Sequence, residues 1–134
     1  MKTNNDLHLL VNRLITKSLP VTVHNKSFIV NDVPAEFCIG ANASMIASVI
    51  EALLDTVTSC AKNSCIRISA KNYGSIILLN IRNNNSPDSS AVAIGLQRMQ
   101  PLVEKTGGYV DITSKKIKKI MTIAYSFSNL PMAA

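Results

Sequence analysis

The chain has 134 residues, of which 47% are hydrophobic, and it carries a formal net charge of +6 at pH 7. This length predicts one domain with a hydrophobic core, and the lack of a long uninterrupted apolar run argues against a membrane protein. The polar N-terminus has no secretory signal, which predicts a cytoplasmic location. The positive charge favours an acidic partner or a polyanion. Because the three Tyr and three Phe residues are not interleaved with basic residues, we expect no nucleic-acid binding.

The chain is expected to form a single domain over residues 1–134, with flexible ends at 1–5 and 132–134. Its three cysteines, Cys38, Cys60 and Cys65, fit no metal-binding spacing and are most simply buried, reduced thiols. A Cys60–Cys65 disulfide is conceivable, but a cytoplasmic location disfavours it. We interpret His8, which has no second histidine at helical spacing, as a surface or packing residue. No metal site is predicted.

The first helix is predicted over Asp6–Lys17, with Asp6 at its cap or in its first turn. Its apolar face is formed by Leu7, Leu10, Val11, Leu14 and Ile15. Pro20 ends this helix, because proline disfavours helical geometry at the residue before it. Two short strands are then predicted, at Val21–Val23 and at Ser27–Val30.

A second, strongly amphipathic helix is predicted over Met45–Lys62, capped by Ser44 or Asn42. Its apolar stripe recurs in steps of three and four residues and consists of Ile46, Val49, Ile50, Leu53, Leu54 and Val57. The opposite side is polar and consists of Ser48, Glu51, Asp55, Thr58, Ser59 and Lys62. Such a helix is expected to lie across a sheet.

A β-hairpin is predicted next, with strands at Cys65–Ala70 and Ser75–Arg82. The connection Lys71–Gly74 ends in a glycine that can supply the positive φ of a tight turn. The second strand is almost entirely apolar. It is therefore expected to be central in the sheet and covered on both faces, or nearly so.

A polar, turn-rich segment, Asn83–Ser90, precedes a third helix over Ala91–Thr106, and Gly107 is a fitting residue to end that helix. Pro101 conflicts with this helix, since a proline in a helix interior costs about 3 kcal/mol. Either the helix bends at Pro101, or two short helices meet there.

The last two strands are predicted at Tyr109–Thr113 and Ile120–Ser128. Between them lie four lysines in five residues, Lys115, Lys116, Lys118 and Lys119, here called the lysine turn. Such a cluster is usually a solvated turn that protects a sheet edge from aggregation. Alternatively, its positive potential steers an acidic partner to this surface.

Two ungapped segments resemble the histidine-kinase-like (GHKL or Bergerat) ATPases. In Asn42–Ala61 the hydrophobic positions match the first ATP-site helix of that family. Ala93–Gly108 is similar to a later part of the family pattern, which has a G-L-G-L segment, then a helix, and then a final L-V-E-x-x-G-G. Phe28–Pro34 (FIVNDVP) and Asn129–Pro131 (NLP) add weaker matches. The resemblance implies an α+β fold, a two-layer α/β sandwich. Its mixed, mainly antiparallel sheet would have about five strands, covered on one face by three helices.

The polar positions of the family are mostly replaced. Its two magnesium- and phosphate-holding asparagines correspond to Ala52 and Thr56, its lysine and tyrosine to Ser59 and Cys60, and its adenine-binding D-x-G-x-G to Asn83, Asn85 and Pro87. The first phosphate-facing glycine corresponds to Ala93, and the lid is reduced to a few residues after Pro87. The resemblance implies that any remaining ATP site would use Thr56, Asn83, Gly95 and Leu96.

Phosphoryl transfer depends on a metal ion and positioned donors that neutralise phosphate charge. Since these groups are missing together, we expect no catalytic residues, no cofactor and no enzymatic activity. The expected function is a non-catalytic interaction module of bacterial two-component-type signalling that binds a phosphotransfer or receiver domain through the lysine turn. The alternative is a residual ATP-binding protein or weak kinase of the sensor-kinase or anti-sigma type. In that case Asn83 would read the base, and Thr56 with Asp55 would replace the metal ligands. A third possibility is that the chain is part of a larger kinase.

Overall fold

The computed structural model describes residues 6–40, 43–85, 90–115 and 119–128. In chain order the elements are α1 (Leu7–His24), β1 (Phe28–Asn31), α2 (Ala43–Cys60), β2 (Cys65–Tyr73), β3 (Ile76–Asn83), α3 (Ser90–Lys105), β4 (Tyr109–Lys115) and β5 (Ile120–Ser128). The five strands form one sheet in the order β1-β2-β3-β5-β4. Only the β1–β2 pair is parallel within this sheet, and the other three pairs are antiparallel. The predicted two-layer α+β sandwich is therefore confirmed.

Helix α1 continues through Pro20, so its predicted end and the predicted strand Val21–Val23 are wrong. The buried face of the helix extends past the proline through Ser18 and Thr22. Their hydroxyls donate to carbonyl groups of the preceding turn at 3.0 and 3.2 Å, which satisfies these polar groups in the core. Pro20 itself lies on the exposed side, where water can hydrate the carbonyl left without a helical N–H.

Helix α2 supplies the centre of the core, and its predicted apolar stripe is confirmed, with every member buried. Thr58 was expected on the polar side but is only 2% exposed. Its hydroxyl donates to the Leu54 carbonyl at 2.8 Å, which allows its burial. Ser44 lies inside the helix and is not its cap, while Asn42 is outside the described residues. By length and mean hydropathy (1.3) α2 could cross a membrane, but here it is a core helix of the sandwich.

The β2–β3 hairpin is longer than predicted, since pairing continues to Tyr73 and Ile76 and leaves a two-residue turn. Gly74 has φ of +67° in this turn, as expected for its first residue. The central position of β3 is confirmed. The prediction that β3 is covered on both faces is wrong, because burial alternates along the strand. Ile76 is 48% exposed, and Arg82 is also exposed. All three helices cover the same face of the sheet.

Helix α3 runs without interruption through Pro101, which is exposed, so the two-helix alternative is wrong. The predicted helix end is confirmed. Gly107 has φ of +70°, and its N–H donates to the Glu104 carbonyl at 3.0 Å. The Gly108 N–H donates to the Val103 carbonyl at 3.2 Å, which completes a Schellman-type end. Strand β4 continues to Lys115, and β5 has the predicted bounds.

The three cysteines are reduced thiols, but they are less buried than expected: Cys38 is exposed, and Cys60 and Cys65 are half-buried. His8 is a packing residue, as predicted, and its Nδ1 lies 2.7 Å from the Val33 carbonyl oxygen. The predicted flexible ends, 1–5 and 132–134, lie outside the described residues.

Candidate functional site

Two of the four predicted nucleotide-site residues are in contact. Gly95 of α3 lies so close to Thr56 of α2 that a Cβ added to the glycine would be 2.6 Å from Thr56 Cγ2 and 3.1 Å from its Oγ1. Real Cβ atoms do not approach other atoms so closely. The two helices are therefore packed against each other at the place where the resemblance implies a phosphate-binding segment.

The Thr56 hydroxyl is also used within its own helix. It donates to the Ala52 carbonyl oxygen at 2.9 Å. Threonine has stiff χ1 preferences in helices, and its hydroxyl commonly makes this i−4 bond. At the two positions that the resemblance aligns with asparagines, Ala52 presents a half-buried methyl group and Thr56 an internally bonded hydroxyl.

Asn83, the predicted base-reading residue, is 1% exposed at the end of β3. Its Oδ1 accepts a hydrogen bond from the backbone N–H of Asn85 at 3.0 Å. This is an Asx-type turn, in which the side chain stabilises the chain leaving the strand. The local backbone therefore uses one lone pair of the acceptor oxygen that would read an adenine amino group, and the side chain that carries it is buried.

Leu96, the fourth predicted residue, is half-buried and packs against the hydrophobic core. It follows Gly95 in α3, which begins at Ser90. The predicted short lid falls largely on residues 86–89, outside the described residues.

Asp55 and Thr56, the metal ligands of the alternative hypothesis, face different neighbours. Thr56 contacts α3, whereas Asp55 interacts with Glu51 and with Lys17 of α1. Partial burial, followed by the nearby Glu51 carboxylate, raises the pKa of Asp55. Lys17 donates to Glu51 Oε2 at 2.5 Å, and this hydrogen bond raises the lysine pKa. Nowhere in the described ranges do three or more His, Cys, Asp or Glu side chains form a possible metal site.

Two cavities lie on the other side of α2, against α1. They have volumes of about 540 and 470 Å³ and share Leu10, Arg13 and Ala47 in their lining. None of the predicted nucleotide-site residues lines either cavity.

The lysine turn is described only at its two ends. Lys115 is the last residue of β4 and is exposed. Lys119 is also exposed and has φ of +54°, a left-handed conformation that fits a tight turn. Lys116 and Lys118 lie outside the described residues.

A basic cluster that was not predicted from the sequence lies on the uncovered face of the sheet. Arg67 of β2 is directly opposite Arg82 of β3. Arg67 also forms an ion pair with Asp32, at 2.8 Å, and the hydrogen bond between them raises the pKa of the guanidinium group. The signal available in the sequence was the polar alternation of the two arginines with buried isoleucines, but their adjacency depends on strand register.

Comparison with known proteins agrees with the fold. No protein-family model and no curated protein matches the sequence. The nucleotide-free catalytic domain of the histidine kinase ThkA is similar, with a TM-score of 0.78 and 13% identity over 98% of this chain and 100% of that one. The Acinetobacter baumannii histidine kinase AdeS is also similar, with a TM-score of 0.75 and 12% identity over 96% of this chain and 69% of that one.

A further match is the histidine kinase ThkA in complex with the response regulator protein TrrA, with a TM-score of 0.66 and 11% identity over 93% of this chain and 41% of that one. Fold, element order and these neighbours agree with the resemblance in the sequence. The chain therefore has the histidine-kinase-like (GHKL) ATPase fold.

Proposed function

We propose that this chain is a degenerate histidine-kinase-like ATPase domain that acts as a non-catalytic interaction module in bacterial two-component-type signalling. The contact between Thr56 and Gly95 is the main support, because it fills the space between α2 and α3 at the matched nucleotide positions.

The residues present do not fit a magnesium nucleotide. Ala52 offers no ligand atom, the Thr56 hydroxyl donates its proton within its own helix, and Asn83 is only 1% exposed and accepts from Asn85. Asp55 interacts with α1 and Glu51 instead of pointing with Thr56 toward α3. Removing one positioned donor from a charge-stabilising site typically lowers the reaction rate by about two to three orders of magnitude. The absence of several such donors together therefore argues against phosphoryl transfer.

The proposed partner is a receiver or phosphotransfer domain with an acidic surface. The net charge of +6 and the exposed ends of the lysine turn favour such a partner, because complementary charge accelerates encounter and fixes orientation. A receiver-type partner is supported by the match to ThkA, which is known in complex with the response regulator protein TrrA and of which 41% is covered by this chain. The proposed location of the module is the cytoplasm.

The direct test is binding to receiver and phosphotransfer domains of the same organism, each purified and measured by biolayer interferometry at low and high salt. Lys115→Glu combined with Lys119→Glu is expected to weaken binding about tenfold, whereas a matched pair, Lys62→Glu with Lys105→Glu, changes the same charge elsewhere and should have a smaller effect. The proposal fails if none of these domains binds at low salt, or if the two charge-reversal pairs weaken binding equally. Micromolar binding of ATP with magnesium would instead favour the residual ATP-binding protein or weak kinase.

A further inference from the structure

The uncovered face of the sheet carries a row of hydrogen-bond donors at the end that adjoins the lysine turn. Arg82 of β3 lies opposite Thr122 of β5, which in turn lies opposite Thr113 of β4. Lys115 is two residues further along β4, on the same face. Because neighbouring strands lie about 4.8 Å apart, the side chains of Arg82 and Lys115 can reach the same small ligand above β5.

Two surface depressions meet at Arg82. One, of about 200 Å³, is lined by Arg82, Thr113, Lys115, Ile120 and Thr122. The other, of about 260 Å³, is lined by Cys65, Arg67, Arg82 and Asn84. The first depression is thus bordered by two cationic side chains and two hydroxyl groups, and Arg67 lies on the far side of Arg82.

The charge arrangement is unfavourable for the sheet alone. Arg67 and Arg82 are directly opposite each other, and like charges at such positions are destabilising. Arg67 is partly neutralised by Asp32 at 2.8 Å. Within the part of the chain that the structure describes, neither Arg82 nor Lys115 has an ion pair. An anion bound between these two side chains would supply the missing negative charge.

We propose that Arg82, Lys115, Thr113 and Thr122 form a binding site for a phosphate monoester dianion. The planar guanidinium fork of arginine matches two phosphate oxygens, and the ammonium and hydroxyl groups line the same depression and can donate to the third. A carboxylate has only two oxygens and half the charge of this dianion, so it uses fewer of the donors. The site does not depend on the proposed signalling function, because it is assayed on the isolated chain with small ligands.

The test is a titration of the ¹⁵N-labelled chain with inorganic phosphate and with phosphoserine at constant ionic strength, followed by amide chemical shifts. Saturable shifts are expected on β4 and β5 around Thr113 and Thr122. Arg82→Gln should weaken binding about tenfold, as expected for loss of a charge-assisted hydrogen bond. Arg98→Gln on α3 is the matched control, since it removes the same charge from an exposed position in the helical layer.

A third variant separates a built site from general attraction to positive charge. Thr113→Val with Thr122→Val keeps every charge and suits a strand, and it should weaken phosphate binding about fivefold. The proposal is overturned if Arg82→Gln and Arg98→Gln weaken binding equally, if the valine variant binds as wild type, or if acetate binds as well as phosphate. A single-stranded oligonucleotide that binds through Arg82 more tightly than phosphoserine does would also overturn it, in favour of a nucleic-acid surface.

Discussion

Substitution of Gly95 by alanine probes the closed space between α2 and α3. The new methyl group would lie 2.6 Å from Thr56 Cγ2, whereas carbon atoms in favourable contact are about 3.5–4.0 Å apart. Thr56 cannot move away freely, because its χ1 is restricted in the helix and its hydroxyl is bonded to the Ala52 carbonyl at 2.9 Å. Either the helices separate locally or the threonine side chain leaves its preferred rotamer.

Two opposing effects determine how much Gly95→Ala changes the free energy of unfolding. Overpacking of this kind costs about 1–3 kcal/mol. Replacing glycine by alanine inside a helix stabilises the protein by about 1 kcal/mol. The net expectation is that Gly95→Ala lowers the free energy of unfolding by about 1 kcal/mol. In a Thr56→Ala background the clash is absent, so the same substitution should raise the free energy of unfolding by about 1 kcal/mol.

Urea denaturation followed by circular dichroism, on the wild type, both single variants and the double variant, measures this coupling. The expected interaction energy between the two positions is about 1–3 kcal/mol. If Gly95→Ala is stabilising in the wild type and the Thr56 background makes no difference, the helices do not touch at this point. The inference that the nucleotide site is filled would then be refuted.

Three further predictions concern other parts of the molecule. Tyr125→Phe removes the buried hydroxyl 2.7 Å from Thr106 Oγ1 and should lower the free energy of unfolding, measured in urea, by about 1 kcal/mol; no loss would mean that the pair is not bonded. Partial desolvation is the main cause that raises the pKa of the exposed Asp55 carboxyl, so the folded state binds more protons than the unfolded state between the two pKa values, and stability should fall slightly as pH rises through that window. Urea unfolding between about pH 3 and 6 should show this slope in the wild type and a smaller one in Asp55→Asn; equal slopes would contradict the assignment. Arg82→Gln relieves repulsion from Arg67 and should raise the free energy of unfolding by a few tenths of a kcal/mol, roughly, and the gain should shrink in high salt; a loss of stability would show that Arg82 supports the sheet.

Local sequence patterns were sufficient to predict features that depend on a short stretch of the chain. The apolar stripe of α2, the positive φ of Gly74 and the helix end at Gly107 were all predicted from the sequence. The extension of α1 past Pro20 was not, because Ser18 and Thr22 continue its buried face. A search for apolar periodicity does not count serine and threonine. These two are buried because their hydroxyls donate to helical carbonyl groups.

The candidate site shows the same division. That Ala52 and Thr56 stand where the resembled family has asparagines could be read directly from the sequence. The contact of Thr56 with Gly95 could not, because it depends on how closely two separate helices approach. In the same way, the adjacency of Arg67 and Arg82 follows from the register of β2 and β3, which a sequence pattern does not fix to the residue.

The most direct test of the central claim is an isothermal titration of the whole chain with ATP and magnesium. The proposed function predicts no binding tighter than about 1 mM, because Thr56 contacts Gly95 where the resemblance places the phosphate-binding segment. A micromolar dissociation constant would contradict the account if Gly95→Ala raised it. Such a result would place a nucleotide between α2 and α3.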